Sequence, residues 1–155
     1  RVDIRALGKD GNFADLFELR GILEIEAAGL AALRRTATDL DEMAAAIGEL
    51  QGRTTFDERR LEADASFHRA VGKASGNSYL FGIICYISAR LKETARATSD
   101  VYAKDDLIEL TMGEHRKVYE AIKAGDHAGA RAAMADHIKA AASRLNVPLK
   151  SGSGG

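Results

Sequence analysis

The chain has 155 residues, of which 46% are hydrophobic and 29% charged, and its 22 Lys and Arg against 23 Asp and Glu leave a formal net charge of -1. That length suits one compact domain with a sizeable core, and the balance of apolar and charged residues excludes a disordered chain. The lack of a basic excess argues against nucleic-acid binding by this segment alone, and the single cysteine, Cys85, excludes an internal disulfide framework.

No apolar run of membrane-spanning length and no signal-peptide pattern occurs, so a cytoplasmic protein with no membrane partner is expected. Residues 1–12 are polar and contain LGKDGN, which reads as a linker or arm. The first residue is Arg1 rather than Met, which suggests a fragment or a processed product, and the SGSGG at 151–155 suggests an appended linker or disordered tail. The folded domain is therefore expected over 13–147, with 148–155 as tail. The lone proline, Pro148, falls beyond the last helical pattern, where it does no harm.

Between those ends breakers are sparse, and Ala, Leu, Glu, Lys and Arg dominate, so the expected fold class is all-α. Helix 1 is expected from about Phe13 to Arg35, with Leu16, Leu19, Leu23, Ala27, Leu30 and Leu33 as its apolar stripe. Helix 2 follows over roughly Asp39 to Gln51, with Leu40, Met43, Ile47 and Leu50, and the chain is then punctuated by Gly52 and the Thr54-Thr55 pair. Helix 3 starts near Phe56 or Asp57 and ends at Ser75-Gly76-Asn77, where Gly76 suits the left-handed terminus and Asn77 suits a cap. Helix 4 covers about Ser78 to Thr98, and helix 5 runs from near Lys104 to Lys123. Asp126 then caps helix 6, which reaches about Leu145. Six helices with short connections predict an antiparallel bundle in which sequence neighbours pack together.

Three of these helices carry polar residues inside their apolar stripes. Helix 3 reads Leu61, Asp64, Ala65, His68 and Val71, with Asp64 and His68 one turn apart on one face. Helix 5 reads Ile108, Met112, His115, Val118 and Ile122, and helix 6 reads Ala130, Met134, His137, Ala141 and Leu145. The turn near Gly125-Asp126 lies about eleven residues from both His115 and His137, so each histidine sits about 16 Å from it. An antiparallel hairpin then puts them at one level. Buried polar groups are costly without partners, and one divalent transition metal satisfies a carboxylate and three imidazoles together. Zinc suits such a set best, with nickel, cobalt or manganese also compatible. A single buried histidine would more simply be a hydrogen-bonded core residue; four such groups on matching faces favour a metal. His127, beside the Asp126 cap, is expected to be exposed and without a ligand role.

The D-x-x-F-H of Asp64 to His68, Ser75-Gly76-Asn77, Glu114-His115, the AIKAGD of 121–126 and the M-x-x-H of Met134 to His137 together resemble the FCD domain. That is the effector-binding C-terminal domain of FadR-type GntR-family transcription regulators. The opening LFELRGILEIEAAGLAA, from Leu16 to Ala32, is similar to the start of the family as well, so the resemblance spans roughly residues 13–146. It implies an antiparallel bundle of six or seven helices around a small-molecule cavity. The implied metal ligands are Asp64, His68, His115 and His137, with a small carboxylate effector completing the ion's coordination. It also implies a homodimer that binds DNA through an N-terminal winged-helix domain, which has no counterpart in these residues.

Arg20 matches an arginine that resembles the family's effector-contacting one; otherwise it is an exposed i,i+4 partner of Glu24. Asn77 either touches the ligand or caps helix 4, and Arg90 either lines the cavity or extends to solvent. The expected function is a metal-dependent sensor of organic acids, without catalysis. The alternative is a metal-dependent hydrolase with an Asp/His3 zinc site, but no H-E-x-x-H helix occurs and no motif places a general base, since Glu114 points about 100° around the helix from His115. A di-iron oxidase needs Glu-x-x-His pairs that the chain lacks, and a purely structural bundle leaves the inward polar groups unexplained.

Overall fold

The structure, a computed structural model, describes residues 13–52, 57–97, 105–145 and 147–149. The arm at 1–12, the Thr54-Thr55 pair and the tail beyond residue 149 lie outside the described residues, as does the side chain of Ile108. The described residues form six α-helices: α1 (Phe13–Arg34), α2 (Ala37–Gln51), α3 (Glu58–Ala74), α4 (Ser78–Ala97), α5 (Asp105–Ala124) and α6 (His127–Arg144).

Local chemistry sets the helix ends. Thr36 and Asp39 form a reciprocal capping box: Asp39 N–H donates to Thr36 Oγ1 at 3.2 Å, and Thr36 N–H donates to Asp39 Oδ2 at 2.8 Å. Helix 2 therefore begins at Ala37, two residues before the expected Asp39, because Asp39 is the third helical residue of the box rather than its start. Asp57, Asn77 and Asp126 each accept a backbone N–H three residues on, at 3.0, 3.0 and 2.9 Å, and so start α3, α4 and α6. Gly76 and Gly125 have φ of 71° and 72°, the left-handed conformation that lets the chain reverse after α3 and α5.

Sequence neighbours pack together in the α2–α3, α3–α4 and α5–α6 pairs, as expected of an up-and-down bundle. Helix α1 departs from this pattern. Its most extensive packing is against α6, and it also touches α3, α5 and α4, so it runs through the centre of the bundle. Its small Ala27, Ala28, Ala31 and Ala32 are all fully buried and let neighbouring helices approach closely. The expected leucine stripe of helix 1 is consequently not its inner face. Leu19 and Leu33 are 40% and 61% exposed, while Phe17, Arg20 and Glu24 point inward. The stripes read for α2, α3 and α6 do face the core, which is built on Phe17, Met43, Phe67, Val71, Val118, Ile122 and Met134.

Cys85 is a half-buried free thiol whose pKa is raised by burial, which suits an inert apolar role. No helix among the described residues is long and apolar enough to cross a membrane.

Candidate metal and ligand site

Helices α3, α5 and α6 bring His68, His115 and His137 together in the bundle interior, all three buried. Their ring centroids are 4.6 to 5.4 Å apart, and one ring nitrogen from each lies within 4.8 Å of the other two. Phe67 packs edge-to-face with His115 at 4.7 Å between centroids. Asp64, one turn before His68 on α3, approaches the trio from the cavity side. Its Oδ1 is 3.0 Å from His115 Nε2 and 3.9 Å from His68 Nε2, and its side chain is 39% exposed to the cavity it lines. The mutually close set is thus the three imidazoles, with Asp64 beside two of them.

Two further carboxylates set the orientation of the rings. Glu24 of α1, 2% exposed, lies 2.6 Å from His68 Nδ1 through Oε1, while its Oε2 accepts from Arg20 Nε at 2.6 Å. Glu114 of α5 lies 2.8 Å from His137 Nδ1 and accepts both Nη1 and Nη2 of Arg144 at 2.8 Å. A carboxylate at Nδ1 keeps the proton there and turns the Nε2 lone pair away from it. The two lone pairs so produced meet, because His68 Nε2 and His137 Nε2 are 3.1 Å apart. Two lone pairs at that distance repel unless a positive charge lies between them. Arg20 Nη2, 2.9 Å from His68 Nε2, offers one such charge.

Nδ1 of fully buried His115 has no hydrogen-bond partner among the described residues, and its Nε2 has only Asp64 Oδ1, at 3.0 Å. An unpaired buried imidazole nitrogen is costly, and coordination to a cation would remove that cost. Two imidazole nitrogens on one zinc, each at about 2.0–2.1 Å, stand about 3 Å apart, close to the spacing of the His68 and His137 pair. The donor set, the unpaired His115 nitrogen and the carboxylates behind the rings all fit a divalent transition metal.

The electrostatics keep the donors in the states such an ion requires. Burial lowers the pKa of His115, and lowers that of His137 to about 3 despite the opposing pull of Glu114, so both are neutral imidazoles at ordinary pH. Burial alone would raise Asp64, but hydrogen bonding with His115 and the positive charges nearby hold it well below the usual carboxylate range. Glu24 and Glu114 are both lowered to about 2, the first by His68 and Arg20 and the second by Arg144 and His137, each overcoming the opposing effect of burial.

A cavity of 110 Å³ rises from this floor between α1, α3, α4 and α6. It is several times the ~10–15 Å³ that one water needs and well below the roughly 300–1,000 Å³ of a drug-sized pocket. Apolar walls come from Phe17, Leu61, Leu91 and Ala141, and among the described residues the cations Arg20, Arg60, Lys92 and Arg144 line it.

The other sequence-derived candidates divide. Arg20 is in the cavity wall and 5% exposed, so its pair with Glu24 is a buried one and not the exposed helix-surface pair. Asn77 is exposed, caps α4 through Leu80 N–H and does not line the cavity. Arg90 donates to Glu93 Oε2 at 2.9 Å and is likewise outside the cavity wall, because its position on α4 turns it toward the surface. His127 is half-buried rather than exposed, with its ring close over Gly29 of α1.

Sequence reasoning missed Glu24 and Glu114 as partners of the rings, and missed Arg60. The sequence signals were present but faint. Glu24 follows Arg20 by one turn on a helix whose leucines drew the inner face elsewhere. The rotation of about 100° that excused Glu114 from partnering His115 is what aims it at α6.

The family model described as the FCD domain matches residues 15–140. The chain is 35% identical over 134 residues to the HTH-type transcriptional regulator LutR of Bacillus subtilis, a match covering 85% of this chain and 61% of that protein. It is 29% identical over 131 residues to the putative L-lactate dehydrogenase operon regulatory protein of Escherichia coli, covering 80% and 48% respectively. Among solved structures it is similar to Streptococcus agalactiae GntR, with a TM-score of 0.72, 25% identity, and coverage of 94% of this chain and 66% of that one. The fold is also shared with E. coli McbR/YncC, with a TM-score of 0.75, 22% identity, and coverage of 94% and 70%. The chain thus spans between about half and two thirds of the curated relatives it matches.

Proposed function

The chain belongs to the FCD domain family, and from that premise we propose that it is the metal-dependent, organic-acid-sensing part of a GntR-type transcription regulator. The observation that carries this is the floor of the cavity. Three buried imidazoles converge there with carboxylates behind two of the rings, and Nδ1 of His115 has no hydrogen-bond partner among the described residues. His68, His115 and His137 would hold the ion, with Asp64 as the fourth ligand. Zinc is the first choice, and nickel or manganese also suit the donor set. When bound, the ion supplies a Lewis-acidic position that takes a carboxylate oxygen.

The remaining work falls to this chain's own side chains. Arg20, held by Glu24, presents a guanidinium edge to the cavity for an acid's oxygens. Phe17, Leu61 and Leu91 exclude water from the walls. Asn77 and Arg90 take no part in this binding. The names of the relatives, a transcriptional regulator and a putative L-lactate dehydrogenase operon regulatory protein, favour sensing over the alternative hydrolase and make L-lactate a reasonable first probe. DNA contact and homodimerisation in the cytoplasm belong, on this reading, to the full-length regulator. Effector binding acts there by favouring one arrangement of the paired domains over another.

The test joins metal content to ligand response. Purified protein should carry close to one transition-metal ion per chain, and L-lactate should raise its melting temperature only while the metal is present. His115→Ala and His137→Ala should lose metal and ligand stabilisation together. Substitutions that leave both intact would place the site elsewhere. Hydrolysis of esters or amides that disappears in the same variants would restore the hydrolase.

A further inference from the structure

Of the four cations that line the cavity among the described residues, three have carboxylate partners. Arg20 is held by Glu24, Arg144 by Glu114, and Lys92 by Glu58 and Glu62. Arg60 differs. It is only 7% exposed, it lines the cavity, and its Nη1 is buried with no hydrogen-bond partner among the described residues. Burial lowers its pKa, with Asp64 and Asp57 opposing, yet a guanidinium stays charged at any ordinary pH. Asp57 is committed to the α3 N-terminus, where it accepts the backbone N–H of Arg60 at 3.0 Å.

A buried N–H of a charged group left without an acceptor is costly, more so than a neutral one. It persists in a cavity wall when a ligand supplies the acceptor. The position of Arg60 says where on the ligand that acceptor lies. On α3, Arg60 is one turn from Asp64 and two turns from His68, about 6 Å and 12 Å along the axis. Arg20 already faces a carboxylate held at the histidine floor, so Arg60, one to two turns further along α3, offers its free N–H to an acceptor placed higher in the cavity.

We propose that Arg60 is a second anchor that reads the far end of the effector, so that the cavity selects an acid with two oxygen-bearing ends, a dicarboxylate, over a monocarboxylate of equal length. This inference rests on the reading of the histidine floor as the metal and carboxylate site. The near carboxylate goes to the floor and Arg20. The far carboxylate takes the unspent guanidinium edge of Arg60, with the apolar walls of Leu61 and Leu91 along the chain between them. Arg60 would thus determine specificity while the histidines determine whether any acid binds.

The matched pair succinate and butyrate isolates the far end, since a carboxylate replaces a methyl at constant carbon count. Affinities of zinc-loaded protein for succinate, butyrate and L-lactate are measured by calorimetry for the unaltered protein, Arg60→Met and Arg60→Lys. A charged hydrogen bond is expected to favour succinate over butyrate by about 10- to 100-fold. Arg60→Met should bring that ratio to within about threefold while butyrate affinity and zinc content stay unchanged, and Arg60→Lys should keep part of the preference. Equal binding of succinate and butyrate, a preference for L-lactate over succinate, or an Arg60→Met ratio equal to that of the unaltered protein overturns the proposal. If none of the three acids binds the zinc-loaded protein, the floor itself is misread and this inference falls with it, an outcome distinct from a floor that binds acids without regard to Arg60.

Discussion

Glu24 shares its two oxygens between Arg20 and His68, and with 2% exposure it has no water to fall back on. Removing its charge leaves Arg20 buried and uncompensated, a change that costs about 3–5 kcal/mol in comparable buried pairs. It also releases the proton that orients His68, and loss of a carboxylate behind a metal-bound imidazole commonly costs about 10–100-fold in metal affinity. Glu114 makes the same kind of contact to His137, but Arg144 beyond it is 16% exposed and can turn to water. The two carboxylates should therefore separate under substitution. Glu24→Gln is expected to lower both zinc affinity and melting temperature strongly. Glu114→Gln is expected to lower zinc affinity by a similar factor with a clearly smaller loss of stability. Zinc titration against a competing chelator and thermal unfolding of the chelated protein read the two effects independently. Unchanged zinc affinity in both variants would show that the carboxylates do not act through the rings.

At the scale of the helices, the site depends on the α5–α6 hairpin, which brings His115 and His137 to 4.6 Å between ring centroids. The reversal turns at Gly125, whose φ of 72° disfavours any side chain, and where an added Cβ would also meet the Arg35 guanidinium at 3.2 Å. Gly125→Ala should destabilise the fold by about 1–2 kcal/mol, a fall of roughly 2–8 °C in melting temperature at this chain length. Weaker zinc binding should accompany it if the turn sets the hairpin's register; unchanged zinc affinity would mean that packing of α1 against α6 sets it alone. This hairpin was legible in the sequence because two equal arms about a Gly-Asp turn need only the helical rise. Local caps were legible for the same reason, as at Asp57, Asn77 and Asp126. The inner face of α1 was not. Its leucines have helical spacing, but a helix surrounded by α3, α4, α5 and α6 buries its small residues and Arg20 and Glu24, and which side wins depends on neighbours far away in sequence. Arg60 was illegible on the same ground, since a cation in a helix's first turn looks like a surface residue until a cavity forms beside it.

The described helices form a bundle that buries charge around the histidine-floored cavity, and its stability should carry the pH signature of that choice. His137 titrates near 3 in the folded state against an ordinary 6.5, so between those values the unfolded chain holds a proton that the folded one refuses. Stability from His137 is complete above 6.5 and is lost as pH falls toward 3. Glu24 and Glu114 are depressed to about 2 from an ordinary 4.5, so their contributions are complete above 4.5 and are lost as pH falls below it. The two effects have the same sign and act in succession. Chelated protein should therefore melt at a nearly constant temperature from pH 8 to 7, at progressively lower temperatures below 6.5, and with a steeper decline below 4.5. Zinc adds stability by mass action, and protons compete for the same nitrogens. Burial keeps His115 and His137 neutral at ordinary pH, so that competition sets in only where the folded protein itself takes up protons. The gap between zinc-loaded and chelated melting temperatures should therefore change little while His137 stays neutral and close as pH falls toward 3. A gap that stays undiminished down to pH 3 would mean that the ion is held by groups other than these histidines, because a protonated imidazole has no lone pair left for a metal.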